Sequence, residues 1–319
     1  MSEITTPIKV ILATSAGYNP ALVGRHVGDL LESIAFAPTN ASTVLVKPNF
    51  LRAETKGCIC TNAVVIAAAC AYLRDHGCRT IIGDSPGFGT AAGVARSIGL
   101  PEALAQVACA DTPIVSLDKP VSRQLSCGGT VGISRYALEA DHILNLPKFK
   151  AHSQMRISAA VKNLFGCVSG IRKAILHALH GDAEKNGVQI FPSVAIDIMN
   201  HLPKGAALLD GITAMHVTGP SSGRPYMARI LAASVSPVAL DTSLYTMLGM
   251  KPEDIPLWRE TQRRGLPGAF FETITVSGEA MSSFDFSSFM LPQTLLPQTF
   301  NPLRLAVSTC RRLWAKLRS

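Results

Sequence analysis

Long apolar runs, aromatic rings and paired cysteines are all scarce in this chain, and each scarcity removes a class of function. The longest apolar run, AVVIAAACAYL at 63–73, is too short to cross a bilayer, which takes about 20 residues. The opening stretch MSEITTPIKVILA lacks the basic segment of a secretory signal, so a cytoplasmic protein is expected. Aromatic residues make up 6% of the chain, and no RNP-like aromatic platform, helix-turn-helix or zinc-finger pattern is present, so nucleic acid is not the expected partner. The 8 cysteines show no repeated pair, and cytosolic thiols are kept reduced, which argues against a disulfide framework. Cys58 and Cys60 form a CxC pair that cannot supply four ligands, and no CxxCxxC run follows. No motif of this chain therefore holds a metal cluster or other cofactor, and packed thiols are the plain alternative for this pair.

What is present is enough apolar material for a sizeable core: 47% of 319 residues. The net charge of +8 suits an acidic ligand, an acidic protein partner or an anionic surface. Short β-branched runs alternate with helical stretches, the pattern of a mainly parallel sheet with helices on both faces, an α/β fold. STVLVKPNF (42–50) reads as a strand, TNAVVIAAACAYLRDHGC (61–78) as a helix capped by Thr61 or Asn62 and stopped near Gly77, and RTIIGDSPG (79–87) as the next strand and turn. GTAAGVARSIGL (89–100) follows as a helix. HILNLPKFK (142–150) is expected as one strand, SAAVKNLFGCVSG (158–170), KAILHALHG (173–181) and PSVAIDIMNHL (192–202) as helices, and AALLDGITAM (206–215) and ARILAASVSPVALD (228–241) as strands. The α/β unit is expected over 1–279, with an extended Pro/Ser/Phe-rich strap over 280–302. A basic amphipathic helix follows over 303–319, where Leu303, Ala306, Val307, Cys310, Leu313, Trp314 and Leu317 recur at helical spacing.

Residues 142–166, HILNLPKFKAHSQMRISAAVKNLFG, deliver Lys148, Lys150, His152, Arg156, Lys162 and Asn163 with no carboxylate among them. Open α/β sheets bind ligands beyond the carboxyl ends of their strands, and four segments put polar groups there. They end in Lys47-Pro48-Asn49, Asp84-Ser85-Pro86-Gly87, Lys148 through His152, and Asp210-Gly211. On an extended chain Lys148, Lys150 and His152 point the same way, and two ammonium groups would keep the imidazole neutral and able to take a proton. His152 and Asp84 are thus the candidate acid/base pair. Lys47, Lys148, Lys150 and Lys162 would neutralise a small anionic ligand, and Asn49 and Asn163 would orient it. Gly87 and Gly89 belong to a GxGxxxG turn that reads equally as a phosphate cradle or as a plain tight turn. Plainer readings stand beside these: a solvated basic loop for 148–152, a snorkelling lysine for Lys47, a turn former for Asp84. His177 and His180 read as surface histidines on a helix end, HVTGPSSGRP (216–225) as a spacer or a loop closing over the ligand, and Asp241 as the N-cap of a helix. Lys148→Ala is expected to abolish ligand affinity with the melting temperature nearly unchanged.

In order, VKPNF, TNAVVIAAACAYLRDHGCRTIIGDSPG, EADHILNLPKFKAH, VKNLFG, LLDGITAMHVTGPSSGRP and SPVALDTSLYTMLGM resemble, over about residues 43–250, the family called domain of unknown function 362. Many members carry a C-terminal ferredoxin-like segment for 4Fe-4S clusters, so the resemblance implies a reduction or electron transfer. This chain ends in NPLRLAVSTCRRLWAKLRS with Cys310 alone, so the cluster would sit on a separate ferredoxin-like partner. A fainter similarity is to nickel-dependent lactate racemases. The expected function is an anion-binding oxidoreductase or electron-transfer component working with an iron–sulfur partner. The alternatives are an isomerase or hydrolase without redox chemistry, using Asp84, His152 and Asp210 around a divalent metal, and a binding or scaffold protein. The terminal helix would dock on its own domain, on an acidic partner or peripherally on a membrane.

Overall fold

The structure is a computed structural model that describes residues 7–169, 184–185 and 188–295. β1 (Ile8–Thr14) leads into α1 (Pro20–Ser33). The Asn19 side chain accepts the Leu22 amide there, and Pro20 fills a first-turn position that needs no donor. β2 (Thr43–Pro48) precedes α2 (Ala63–Asp75), which is capped by Asn62 and followed by Gly77 at φ +69. β3 (Arg79–Asp84), α3 (Ala91–Ser97), α4 (Leu100–Gln106) and β4 (Ile114–Ser116) come next. β5 (Pro120–Gln124) and β6 (Thr130–Ser134) form a separate hairpin, after which come α5 (Arg135–Leu138), β7 (His142–Leu146), β8 (Lys148–His152), β9 (Arg156–Ser158) and α6 (Ala160–Asn163). β10 (Glu184–Lys185) and β11 (Val188–Gln189) pair with each other ahead of α7 (Ile190–His201). β12 (Gly205–His216), β13 (Arg224–Ser234), α8 (Pro237–Met247), α9 (Pro256–Arg263) and β14 (Ile274–Gly278) complete the order.

The main sheet runs β14-β1-β13-β12-β7-β2-β3-β4. Along this path neighbours are parallel except at β13, which is antiparallel to β1 and β12. β1, β12, β7, β2 and β3 therefore run the same way, and their carboxyl ends share one edge. Both faces are covered. Along β2, Val44 and Val46 pack with α1 and α2, while Leu45 between them joins the core of the opposite face with α7. Along β12, Ala206 and Leu208 face the first layer and Ala207 and Leu209 the second, with α8. The α/β class with helices on both faces is what the sequence pattern predicts. Among the described residues, no helix is long and apolar enough to cross a membrane.

Three elements differ from expectation. HILNLPKFK is two strands: Pro147 has no amide to continue the ladder, and the chain changes partners there. β7 pairs with β2 and β12, whereas β8 pairs with β12 and, antiparallel, with β9. SAAVKNLFGCVSG is a single α-turn, α6, running into a 3-10 turn at Leu164–Cys167, and Ser158 belongs to β9. ARILAASVSPVALD is a strand only to Ser234, because Ser236 caps α8 and Pro237 opens it. The strap is described to residue 295. Its Phe284 and Phe289 are buried, with Phe289 stacked on Phe149 of β8 at 4.8 Å between ring centres, and Arg156 donates to the Pro292 carbonyl. The rest of the strap, the basic helix expected at 303–319, and the helix expected at 173–181 with Lys173, His177 and His180 lie outside the described residues.

Candidate functional site

Lys47, the last side chain of β2 before Pro48, is fully buried. Its Nζ sits 2.9 Å from Asp84 Oδ1 at the end of neighbouring β3 and donates to the Pro48 carbonyl. Asp84 also accepts the Ser85 and Phe50 amides, so its carboxylate ties two strand ends together. Gly166 lies directly over this pair: a Cβ there would overlap Lys47 Nζ and Asp84 Oδ1. Gly166→Ala should force the pair apart and lower stability by about 1–3 kcal/mol, the usual penalty for overpacking, read as a shifted urea midpoint. An unshifted midpoint would show that residue 166 does not press on the pair.

Lys148 opens β8 and pairs with Asp210 of β12 at 2.9 Å, both side chains being inaccessible to solvent. Tyr18, in the loop after β1, donates to Asp210 Oδ1 and accepts from Lys148 Nζ and the Thr213 amide. Asp210 Oδ2 also accepts the Asn62 amide at the start of α2. Burial works against the Lys148 charge, but Asp210 and Tyr18 outweigh it and hold its pKa above the ordinary lysine range. Burial and the Asp210 charge push Tyr18 up to about 12. Asp210 is thus the counter-ion of Lys148. A metal ion there, as the sequence reading has it, would have to displace an ammonium and two other donors. Among the described residues no group of three or more His, Cys, Asp or Glu is placed to hold a metal.

Lys150 differs from both. It is buried, and its Nζ donates to Asn49 Oδ1 at 2.6 Å and to the Ile59 carbonyl at 2.9 Å, with no carboxylate in ion-pair contact among the described residues. Burial pulls its pKa down to about 8. A row of carboxamides leads away from it: Asn49 Nδ2 donates to Asn163 Oδ1, Asn163 Nδ2 to Asn145 Oδ1, and Asn145 Nδ2 to the Ala160 carbonyl. Asn163 Nδ2 also reaches the Lys47 carbonyl.

The remaining candidates are less central. His152 is buried, and its Nδ1 accepts the Gln154 and Met155 amides, which fixes the ring against the turn after β8 and puts the proton of the neutral ring on Nε2. That nitrogen is therefore engaged within the turn rather than turned toward the two lysines. Asp84 is likewise engaged as a counter-ion. Lys162 on α6 is half-buried, over the Phe191 ring. Gly89, at φ +83, and Gly87 belong to a tight turn. Two first-turn amides of α3 are taken by protein, Gly93 N by Thr90 and Ala91 N by Ser116. Cys58 and Cys60 are buried, and burial pushes the Cys60 thiol up to about 11, as suits packed thiols. The HVTGPSSGRP loop seals the turn after β8, where the Gly219 carbonyl accepts the Ser153 amide.

Sequence reasoning missed five residues. Tyr18 follows β1, and the strand-end rule applied to that strand would have found it. Asn145 hides inside an apolar strand. Gly166 closes VKNLFG. Asp241 was read as a cap of the helix it stands on, but it lies inside α8, where Ser236 is the cap, and instead accepts the Ala160 and Val161 amides of α6. Burial pushes its carboxyl up to about 7, against the pull of those two amides. Arg52 sits in the loop between β2 and α2, partly buried, with Nε unpartnered and no ion pair to its guanidinium among the described residues. Nothing in the spacing marked it.

A family model described as Domain of unknown function (DUF362) matches residues 44–246. The chain is 33% identical over 277 residues to Thylakoid-associated protein sll1697 of Synechocystis sp., an alignment covering 86% of this chain and 83% of that protein. Among solved structures, the lactate racemase apoprotein of Thermoanaerobacterium thermosaccharolyticum aligns over 76% of this chain but only 58% of its own, with 14% identity and a TM-score of 0.44.

Proposed function

The chain belongs to the family described as Domain of unknown function (DUF362), and from that premise we propose that it binds a small anionic molecule, a carboxylate or a phosphate, at the carboxyl edge of its sheet. The observation that carries this reading is a surplus of positive charge. Among the described residues, Lys47 and Lys148 each have a buried carboxylate of their own, whereas Lys150 and Arg52 have none in ion-pair contact. A buried cation without a counter-ion is costly, and an anion entering from solvent supplies what the protein leaves out. A guanidinium suits a carboxylate because its fork can donate two parallel hydrogen bonds.

The test uses oxalate and inorganic phosphate as probes in thermal unfolding. A ligand present at about a hundred times its Kd adds about 2.7 kcal/mol to stability, so the midpoint should rise with probe concentration in the wild type and stay flat in Arg52→Met. No stabilisation by either anion, or the same rise in both proteins, would sink the reading.

Electron transfer with a 4Fe-4S cluster on a separate ferredoxin-like chain remains part of the proposal through the family resemblance; the site residues themselves bear on anion binding. A peripheral membrane contact through residues 303–319 is favoured by the name of the Synechocystis relative.

A further inference from the structure

Of Lys150 and Arg52, only Lys150 can shed its charge, since a guanidinium stays protonated. The acceptors around Lys150 suit the uncharged form. Asn49 Oδ1 and the Ile59 carbonyl are both neutral, and they match the two N–H groups of an amine, leaving its lone pair unused. An ammonium would need a third acceptor, and none is present among the described residues. Burial is the main force removing the proton; the charged or titratable groups acting on Lys150 are Cys60, Glu54, Lys148 and Asp84. Of these, Lys148 works with burial, and Asp210 holds it cationic, while Cys60, Glu54 and Asp84 pull the other way and are outweighed by burial. A desolvated amine beside a fixed cation is the arrangement that turns a lysine into a nucleophile.

We propose that Lys150 forms a reversible imine with the carbonyl group of a small oxo acid whose carboxylate is held by Arg52. The proposal rests on the anion-binding reading above and narrows its ligand class. One loop carries both partners of the amine and the guanidinium: Lys150 holds it at Asn49 and Ile59, and Arg52 lies between those two residues in sequence. Asn49, which accepts from the amine, is itself partly exposed. In the first step the nitrogen lone pair attacks the carbonyl carbon. A C–N bond forms, the π pair moves to oxygen, and one nitrogen proton follows it. The carbinolamine then loses its hydroxyl with the remaining nitrogen proton as water, and C=N is left. One water is released, nothing is oxidised or reduced, and no cofactor is needed.

The full chain is incubated with pyruvate, quenched with borohydride, which reduces an imine to a stable secondary amine, and mapped by peptide mass. The expected result is one pyruvate adduct on Lys150, absent from Lys150→Met. Its yield at a fixed early time should rise about tenfold per pH unit below pH 8 and level off above it. Adducts spread over surface lysines with none on Lys150 would overturn the proposal, and so would a wild-type yield flat across pH 8, which decides the matter even if the variant fails to fold. Oxalate, an acid without a ketone, separates the two readings. If oxalate binds through Arg52 and pyruvate leaves Lys150 unmodified, the imine falls alone. If oxalate does not bind either, the site reading falls with it.

Discussion

Lys148→Ala should destabilise the protein by about 3–5 kcal/mol, the loss seen when one partner of a buried ion pair is removed and the other charge is left behind. Asp210 would then be inaccessible and unpaired, and Tyr18 would lose the ammonium that donates to it. The measurement is urea unfolding of Lys148→Ala, Asp210→Ala and the double variant. The double variant should recover part of the loss, because it strands no charge. This reverses the expectation from sequence, which put Lys148 against a ligand and left the melting temperature nearly unchanged. A small shift in the single variant would restore that earlier view.

Lys150→Met should do the opposite, although its lysine is two residues away on the same strand. The folded pKa of Lys150, about 8, lies below the ordinary 10.5. Below pH 8 the folded and unfolded chains both hold the proton, and the folded state bears the cost of burying it. Between the two values the unfolded chain holds more protons, so stability rises with pH across that window, by at most about 1.4 kcal/mol per unit. Methionine keeps the length and removes the charge. Near neutral pH the variant should therefore be as stable as the wild type or more so, by up to about 3 kcal/mol, and the rise above pH 8 should vanish. A loss of stability as large as that of Lys148→Ala would mean that Lys150 has a structural counter-charge after all.

The alternation of β-branched runs with apolar helical stretches made the architecture legible, because a sheet buried on both faces leaves that signature in its central strands. So did the edge where the polar strand ends meet: Lys47, Asp84, Lys148, Lys150 and Asp210 do assemble there. Their pairing was not legible. A carboxylate distant in sequence, such as Asp210 for Lys148, becomes a counter-ion only through strand register, and register is set by long-range contacts. The break at Pro147 was visible as a proline, yet its effect depends on where β12 lies. Asp241 was misread for the same reason: its partners, the Ala160 and Val161 amides, come from a different helix. Arg52 and Asn145 carry no local pattern, and their significance comes only from what surrounds them.

The carboxamide series that begins at Asn49 has a fixed polarity. It starts from a lysine nitrogen that donates and finishes on the Ala160 carbonyl, which can only accept, so no single amide can turn over without facing its neighbour donor to donor or acceptor to acceptor. Reversal would have to be collective. The row thus joins the Lys150 nitrogen to Ala160 through three asparagines, and Asp241 grips the same residue by its amide. The amine at one end and the footing of the short helix bearing Lys162 at the other are tied by one continuous line of hydrogen bonds.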